Sequence, residues 1–464
     1  MFKKINIKEI RESLALLVIA AVVGTIVSFV AQLFIISAKN IYDFIFYNEN
    51  FIVTIDIGYL SLNLVPLLIC VPSSFIVGLL MYRLKLPRWF GPADTIYAAH
   101  HHAGILDLKG GFGSTLASFV SISGGASVGI YGPLVHFGAT VSSFIRRQKF
   151  IPKIPHDIII GSGVAAAISA GFGAPLAGII FAHETVLRHF SMKAVAALAI
   201  SSMAANFSAT EIGIVSPPLL LTAVTFDMGD IIISLGIIGP LAALVAILFM
   251  KLVLFTGTIP TKIKIKNWQA PVIAGFACGI CGMIFSEVLG LGTDVLMSVI
   301  TSQLLFGYLL ALLLGKLILT SICIGFGFFG GLFSPALFLG GVLGAIVFQL
   351  PVTSANPDLL SVLAVSGMAA VSSSVIGAPL TAIILVLELT GSYEYAIAAT
   401  FPIVVCSFIT SRIFANSVFD KQLISRGVEI TKGREQIRLN EAIIKNYIDS
   451  QYTKLKPTTS IENA

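Results

Sequence analysis

Residues 129–138 read Gly-Ile-Tyr-Gly-Pro-Leu-Val-His-Phe-Gly, and residues 331–340 read Gly-Leu-Phe-Ser-Pro-Ala-Leu-Phe-Leu-Gly. Gly129, Pro133 and Gly138 thus return as Gly331, Pro335 and Gly340, 202 positions further on. A second pair repeats at 204 positions: Gly173-Ala174-Pro175-Leu176 leads to Glu184, and Gly377-Ala378-Pro379-Leu380 leads to Glu388. Self-similarity at a fixed distance means that one structural unit is used twice. Each copy is apolar and interrupted by Gly and Pro, residues that break helices. In a membrane protein, paired interruptions of this kind point to a site near the bilayer midplane, where half-helix ends face a substrate.

A membrane setting follows from composition. Of the 464 residues, 56% are hydrophobic and 11% charged, and the mean hydropathy is +0.96. A soluble domain carries roughly 25% charged residues, so this chain has too few to cover a wetted surface. Apolar runs of helical length include Leu14–Ile36, Gly58–Met81, Ile231–Leu254, Val272–Leu289, Leu304–Ile324 and Ala396–Phe408. Some approach the ~20 residues needed to cross a bilayer; others are short or broken and predict tilted helices that cross partway. The 42 glycines suit close helix packing. The expectation is an all-α polytopic membrane protein: a cytoplasmic lead over residues 1–12, membrane repeats over 13–215 and 216–420, and a polar cytoplasmic tail over 421–464 that is partly helical around Ile437–Ile448. The first apolar run is long and lacks a small-residue cleavage site, so it reads as a retained helix. Net charge is +6, and the clusters Lys3-Lys4, Arg146-Arg147-Lys149-Lys153 and Lys262-Lys264-Lys266 fit cytoplasmic helix ends. No nucleic-acid role is expected.

Several motifs invite other readings. Gly125-Ala126-Ser127-Val128-Gly129 matches a hydrolase nucleophile elbow but lacks its strand–turn–helix context, and no enzymatic activity is expected. His100-His101-His102 are consecutive and spread round a helix, whereas helical metal ligands sit at i and i+4; no metal site is expected. Cys278-Gly-Ile-Cys281 has redox spacing without a βαβ pattern, and all five cysteines (Cys70, Cys278, Cys281, Cys323 and Cys406) read as small apolar filler. Glu184 and Glu388 close apolar helices and read as structural. His136 reads as a hydrogen-bonded packing residue.

Taken together, these segments resemble the CLC family of chloride channels and chloride/proton exchangers, over about residues 15–426. The family's Gly-Arg-Glu-Gly-Pro element corresponds to Gly129-Ile130-Tyr131-Gly132-Pro133, its Gly-x-Phe-x-Pro element to Gly331-Leu332-Phe333-Ser334-Pro335, and its Ala-Pro-Leu-Ala-Gly segment to Ala174–Gly178. The resemblance implies inverted-topology halves, a homodimer with one anion path per subunit, both termini cytoplasmic, and chloride or another small anion as cargo with no bound cofactor. Bacterial origin, and hence the inner membrane, is suggested by the short loops. Residues Ile200–Ile214 and Ile403–Phe414 are candidate dimer contacts. By resemblance, backbone N–H groups of Gly129, Ile130, Tyr131 and Gly132 form an outer anion site and those of Leu332 and Phe333 a central one. The physics agrees: glycines let successive N–H groups point into one cavity, and a helix N-terminus adds partial positive charge. Gly433–Gln436 and Thr458–Ile461 resemble the lead into a cystathionine-β-synthase-type domain of longer family members.

Four positions depart from the family. Its exchangers carry the proton on a Glu where this chain has Tyr131, which titrates near ~10 rather than ~4 and stays neutral. The proton-relay Glu of Phe-x-x-Glu-Glu is Thr185 in Phe181-Ala182-His183-Glu184-Thr185. Aligning Gly-Ser-Gly-Ile-Pro-Glu with Trp89–Asp94 puts Phe90 where a Ser hydroxyl meets chloride, and the family's pore Tyr becomes Phe419. All four predict passive, channel-like or slow uniporter transport without proton exchange. The alternatives are an antiporter with carriers relocated to Glu184 or His136, and a non-conducting membrane sensor acting through its tail.

Overall fold

The computed structural model describes residues 7–51, 53–57, 60–101, 105–149, 151, 154–212, 228–351 and 356–428. The helical part of the tail expected around Ile437–Ile448, and the segments at 433–436 and 458–461, lie outside these residues. The described chain is helical apart from one small hairpin. In order it runs α1 (Ile7–Phe46), β1 (Thr54–Ile57), β2 (Leu60–Asn63), α2 (Val65–Leu84), α3 (Pro92–His100), α4 (Leu108–Ser123), α5 (Tyr131–Arg146), α6 (His156–Phe172), α7 (Pro175–Phe181), α8 (Met192–Glu211) and α9 (Met228–Lys262). It continues with α10 (Ala270–Ile284), α11 (Thr293–Thr301), α12 (Phe306–Gly325), α13 (Phe333–Phe348), α14 (Leu359–Ile376), α15 (Pro379–Thr390), α16 (Tyr393–Ile413) and α17 (Val418–Ile424). Seven helices among the described residues are long and apolar enough to cross a membrane; α3, α7 and α15 are among the shorter ones. The apolar run Gly58–Met81 divides between strand and helix instead of forming a single helix. Asn63 Oδ1 accepts the Val65 N–H at 3.0 Å, and Pro66 sits in the first turn of α2, a pairing that starts a helix and stops a strand.

The repeat in the sequence is an inverted repeat in space. Helices α5 to α8 correspond to α13 to α16. The α5–α6 packing is tight where Gly138 meets the Gly163 carbonyl, and α13–α14 where Gly340 meets the Gly367 carbonyl; a Cβ at any of the four would strike a neighbouring backbone carbonyl. Helices α6 and α14 each end on a left-handed glycine, Gly173 (φ 65) and Gly377 (φ 73), which terminates the helix. Pro175 and Pro379 then begin the next helix, where a missing N–H costs nothing.

Two reciprocal contacts fix the relation of the halves. Gly129 and Gly331 pair as an isolated antiparallel bridge, so the two motif strands run in opposite directions. The Glu388 carboxylate accepts the Leu176 and Ala177 N–H groups at 2.9 and 2.8 Å, capping α7. The Glu184 carboxylate accepts the Leu380 and Thr381 N–H groups at 2.9 and 2.8 Å and the Thr381 hydroxyl at 2.7 Å, capping α15. Each half closes a helix of the other, as suits the structural reading of both glutamates.

A polar face of α12 holds the loop leading into the first motif. Lys316, Thr320 and Cys323 lie at i, i+4 and i+7, on one side of the helix. Lys316 is fully buried and donates to the Val288 and Gly290 carbonyls at 3.1 and 2.8 Å, while the Gly290 N–H donates to the Gly125 carbonyl at 3.2 Å. Thr320 Oγ1 meets Ser127 Oγ at 3.0 Å. Cys323 meets Cys278 as a thiol at 3.1 Å, and all five cysteines are free.

Candidate anion pathway

Where the two glycine motifs meet, helices α3, α5 and α13 point their N-termini toward a shared cavity of about 370 Å³. Its walls combine backbone and aromatic rings. Tyr131, Gly132, Leu332, Phe333 and Phe419 line it, together with Phe172 and the glycine-rich run 324–331. The caps of α5 and α13, Ile130 and Leu332, carry no side-chain hydrogen bond. First-turn N–H groups have no acceptor within their own helix and carry the positive end of its dipole. Two such ends opening on one apolar-walled space offer a small anion partial positive charge without a fixed cation, the kind of site from which release stays easy.

The positions singled out in the sequence divide clearly. Tyr131, Gly132, Leu332, Phe333 and Phe419 come together on the cavity, and Ile130 supplies the cap position behind Tyr131. Gly129 differs from the expectation: its N–H donates to the Gly331 carbonyl at 2.8 Å, so it holds the motifs together and has no N–H left for an anion. Phe90 differs too. Its neighbours Trp89 and Gly91 line the cavity, whereas the Phe90 ring lies under the Arg88 guanidinium, 4.7 Å from the ring centroid, and stacks against His136. Its N–H donates to Ser114 Oγ at 2.8 Å, which anchors the residue with its ring away from the cavity. His136 is buried and bonded to Thr95 Oγ1 at 2.9 Å, the packing role expected of it. His100 Nδ1 lies 2.9 Å from the Ile96 carbonyl and His101 packs on Tyr97; His102 lies outside the described residues. No cluster of potential metal ligands occurs among the described residues.

Tyr131 is held as an aromatic plate. Its ring stacks on Phe172 with centroids 3.6 Å apart and planes at 14°. Phe333 meets both rings edge-on, at 5.8 Å from Tyr131 and 5.2 Å from Phe172. These three rings join the first turn of α5, the end of α6 and the first turn of α13. Thr185 lies in a π-helical turn, Ala182–Leu187, that continues α7. It is buried, and its hydroxyl finds no partner among the described residues. Arg188, next after that turn, binds Asp420 at 2.5 Å and so anchors α17, which carries Phe419.

Sequence reading passed over two parts of this cavity. Phe172 immediately precedes the Gly173 break, and Ile376 precedes Gly377 in the second copy; both line the cavity, so the repeat itself was the available signal. The second part is a charged collar. Arg88 holds Asp94 through two bonds, at 2.8 and 2.5 Å, and Arg426 reaches the same carboxylate at 2.9 Å. The Asp94 carboxylate also accepts the Gly91 N–H at 3.0 Å, so α3 is capped by the chain itself. These three are the charged residues of the cavity lining, and their partial exposure places them at its mouth. An acid in the first turn after Gly-Pro was legible as a cap; its two arginine partners, one of them 332 residues away in the chain, were not.

Residues 69–412 match the family model described as voltage gated chloride channel. The chain belongs to this family. Among relatives, the H(+)/Cl(-) exchange transporter ClcA of Vibrio parahaemolyticus serotype O3:K6 is 26% identical over 447 residues, covering 91% of this chain and 92% of that one. The voltage-gated ClC-type chloride channel ClcB of Salmonella typhimurium is 26% identical over 357 residues, covering 74% and 83%. Among solved structures, a slow cyanobacterial Cl-/H+ antiporter superposes with a TM-score of 0.77 at 20% identity, covering 89% of this chain and 98% of the other. Membership makes this an anion-transporting membrane protein with the all-α polytopic fold expected from its sequence. Family members named exchanger and members named channel stand at equal identity to it.

Proposed function

We propose that this protein passes chloride, or small anions like it, down their gradient and without coupled protons, as a channel or slow uniporter. The observation that carries this reading is Tyr131 in the first turn of α5, clamped between Phe172 and Phe333 on the cavity wall. A carboxylate there would compete with the anion and exchange a proton; a phenol does neither near neutral pH. Thr185, buried in the turn after α7, offers no proton carrier at the relay position. The relocated carriers considered above are both engaged: Glu184 caps α15 and His136 is bonded to Thr95.

Chloride is the cargo, and no resident cofactor enters the proposal. The protein sits in the bacterial inner membrane with both termini cytoplasmic, so that the Arg88–Asp94–Arg426 collar faces the cytoplasm. The working unit is a homodimer with one path per subunit, which buries the apolar faces of α8 and α16 that carry Met203, Phe207, Val404 and Phe408, all exposed in the monomer.

The test uses purified protein in chloride-loaded liposomes, with chloride efflux and external pH recorded together. Valinomycin-dependent efflux without coupled proton movement is the expected result. Protons driven by the chloride gradient would overturn it in favour of the exchanger reading, to which the names of ClcA and the cyanobacterial antiporter point. No flux at all would favour the sensor.

A further inference from the structure

Ser334 is the second residue of α13 and carries a hydroxyl that nothing in the protein satisfies. It is 9% exposed, and its Oγ finds no hydrogen-bond partner among the described residues. Leaving a buried hydroxyl unmade costs more than a typical hydrogen bond gains, so such a group implies a missing partner. Other buried serines of this fold return their hydroxyls to a carbonyl of the preceding turn, as Ser142 does to Gly138, Ser162 to Ile158 and Ser321 to Leu317. Ser334 has no such escape: four residues back lies Gly330, before the helix begins.

The direction of the hydroxyl is fixed by Gly129. A side chain placed on Gly129 would come within 2.8 Å of Ser334 Oγ and 2.9 Å of the Gly331 carbonyl oxygen. The hydroxyl therefore faces the seam where the two motifs cross. On one side of that seam stand the open N–H groups of α5, and on the other those of α13. Carbonyl acceptors are already committed there: the Gly129 carbonyl receives the Gly331 N–H, and the Gly331 carbonyl receives the Gly129 N–H. A donor without an acceptor, beside two uncapped helix N-termini, suits an anion.

We propose that Ser334 is an anion-binding side chain, donating its hydroxyl to a small monovalent anion held between the N-termini of α5 and α13. In the first copy of the repeat the equivalent position is Gly132, so the hydroxyl enters from one half only. Neither Phe419, which lines the cavity, nor Phe90, which is turned away from it, supplies a hydroxyl of this kind. The inference rests on the anion-transport reading and adds a residue that sets affinity and selectivity.

The test compares Ser334→Ala with Ser334→Cys. Chloride is titrated calorimetrically onto the purified, detergent-solubilised full chain, and the same proteins are reconstituted for chloride, nitrate and iodide flux. Ser334→Ala is expected to weaken chloride binding about tenfold, the scale of one hydrogen bond to a charged partner. It should also shift the flux ratio toward nitrate and iodide, whose diffuse charge gains less from a hydroxyl. Ser334→Cys, a weaker donor of similar size, should fall between. Unchanged binding and unchanged anion ratios in Ser334→Ala, with wild-type flux intact, would overturn the role of Ser334 alone. A uniform loss of flux with the ratios preserved would also overturn it, as the mark of a packing role. A wild-type protein that neither binds nor passes chloride would overturn the transport reading beneath it.

Discussion

Helix N-termini are treated in two opposite ways in this molecule. At α7 and α15 the chain supplies its own anion: Glu388 and Glu184 reach across the pseudo-symmetry and cap the exposed N–H groups of the other half. At α5 and α13, only a helix or two away, Ile130 and Leu332 stand at the cap and make no side-chain cap bond to the first turn. Both pairs arise from the same sequence duplication and share the same dipole physics. What separates them is whether a carboxylate arrives. A capped terminus is a joint, whereas an uncapped one facing a cavity is, on the proposed function, a site. The α3 terminus belongs with the joints, since Asp94 closes it.

The sharpest way to break this distinction is to give α5 a carboxylate of its own. Tyr131→Glu places an acid in the first turn, where it can cap the open N–H groups as Glu388 caps α7. Chloride flux at neutral pH should fall by about tenfold or more, the effect of a tethered ion on charge-assisted N–H bonds. A carboxylate is ionised above its pKa of ~4.3, so the block should hold above that range and lift as pH falls through it. Flux of this variant and of the parent is measured in liposomes between pH 4 and 8. Brisk flux in the variant with no pH dependence would show that an uncapped α5 is not what makes the path.

The converse experiment opens a joint. Glu388→Gln keeps the shape of the side chain but removes its charge and replaces one of the two oxygens that accept from Leu176 and Ala177 with an NH2 that cannot accept. Weakening charge-assisted bonds should cost about 1–3 kcal/mol of stability, seen as a lower Tm in detergent. Flux per folded protein should be unchanged, because α7 faces α15 at this end and not the anion. Glu184→Gln should lose stability alike, since it makes the mirror contact. A stable Glu388→Gln protein that has lost its flux would erase the line between joint and site.

The sequence made the duplicated backbone legible because backbone chemistry needs particular residues. Gly and Pro are required wherever a helix stops, starts or lets a neighbour close in, so Gly138, Gly173, Pro175 and their partners could be read directly. Gly129 shows the limit of that reasoning. Its motif was visible, but whether its N–H served an anion or the Gly331 carbonyl depended on a pairing between strands 202 positions apart. Phe90 shows the same limit for a side chain: spacing located the residue before α3, and only the hold of Ser114 and Arg88 decided which way its ring turned. Arg426 was hidden for a further reason: it has no unusual local pattern. Phe172 stands beside a helix break and Ser334 within a motif, but all three acquire a role only from residues that folding brings beside them.

The smallest effect concerns the hydroxyl missing from the cavity wall. Phe419 lies in the first turn of α17, is buried, and lines the cavity. Its backbone is pinned by the Ser417 cap on the Asp420 N–H at 3.0 Å and by the Arg188–Asp420 pair. Phe419→Tyr changes one atom on a fixed scaffold and aims a new donor into the space between α13 and the collar. If the anion dwells there, chloride affinity should rise, by no more than about 1.5 kcal/mol, near the low end for a hydrogen bond to a charged group. Tighter binding at an internal station slows release, so half-maximal flux should move to lower chloride while the maximal rate falls slightly. Chloride-dependent flux curves for the two proteins separate these effects. A parallel change in both quantities, with calorimetric affinity unaltered, would mean that the anion passes Phe419 without resting beside it, leaving the N-termini of α5 and α13 as the whole of the binding site.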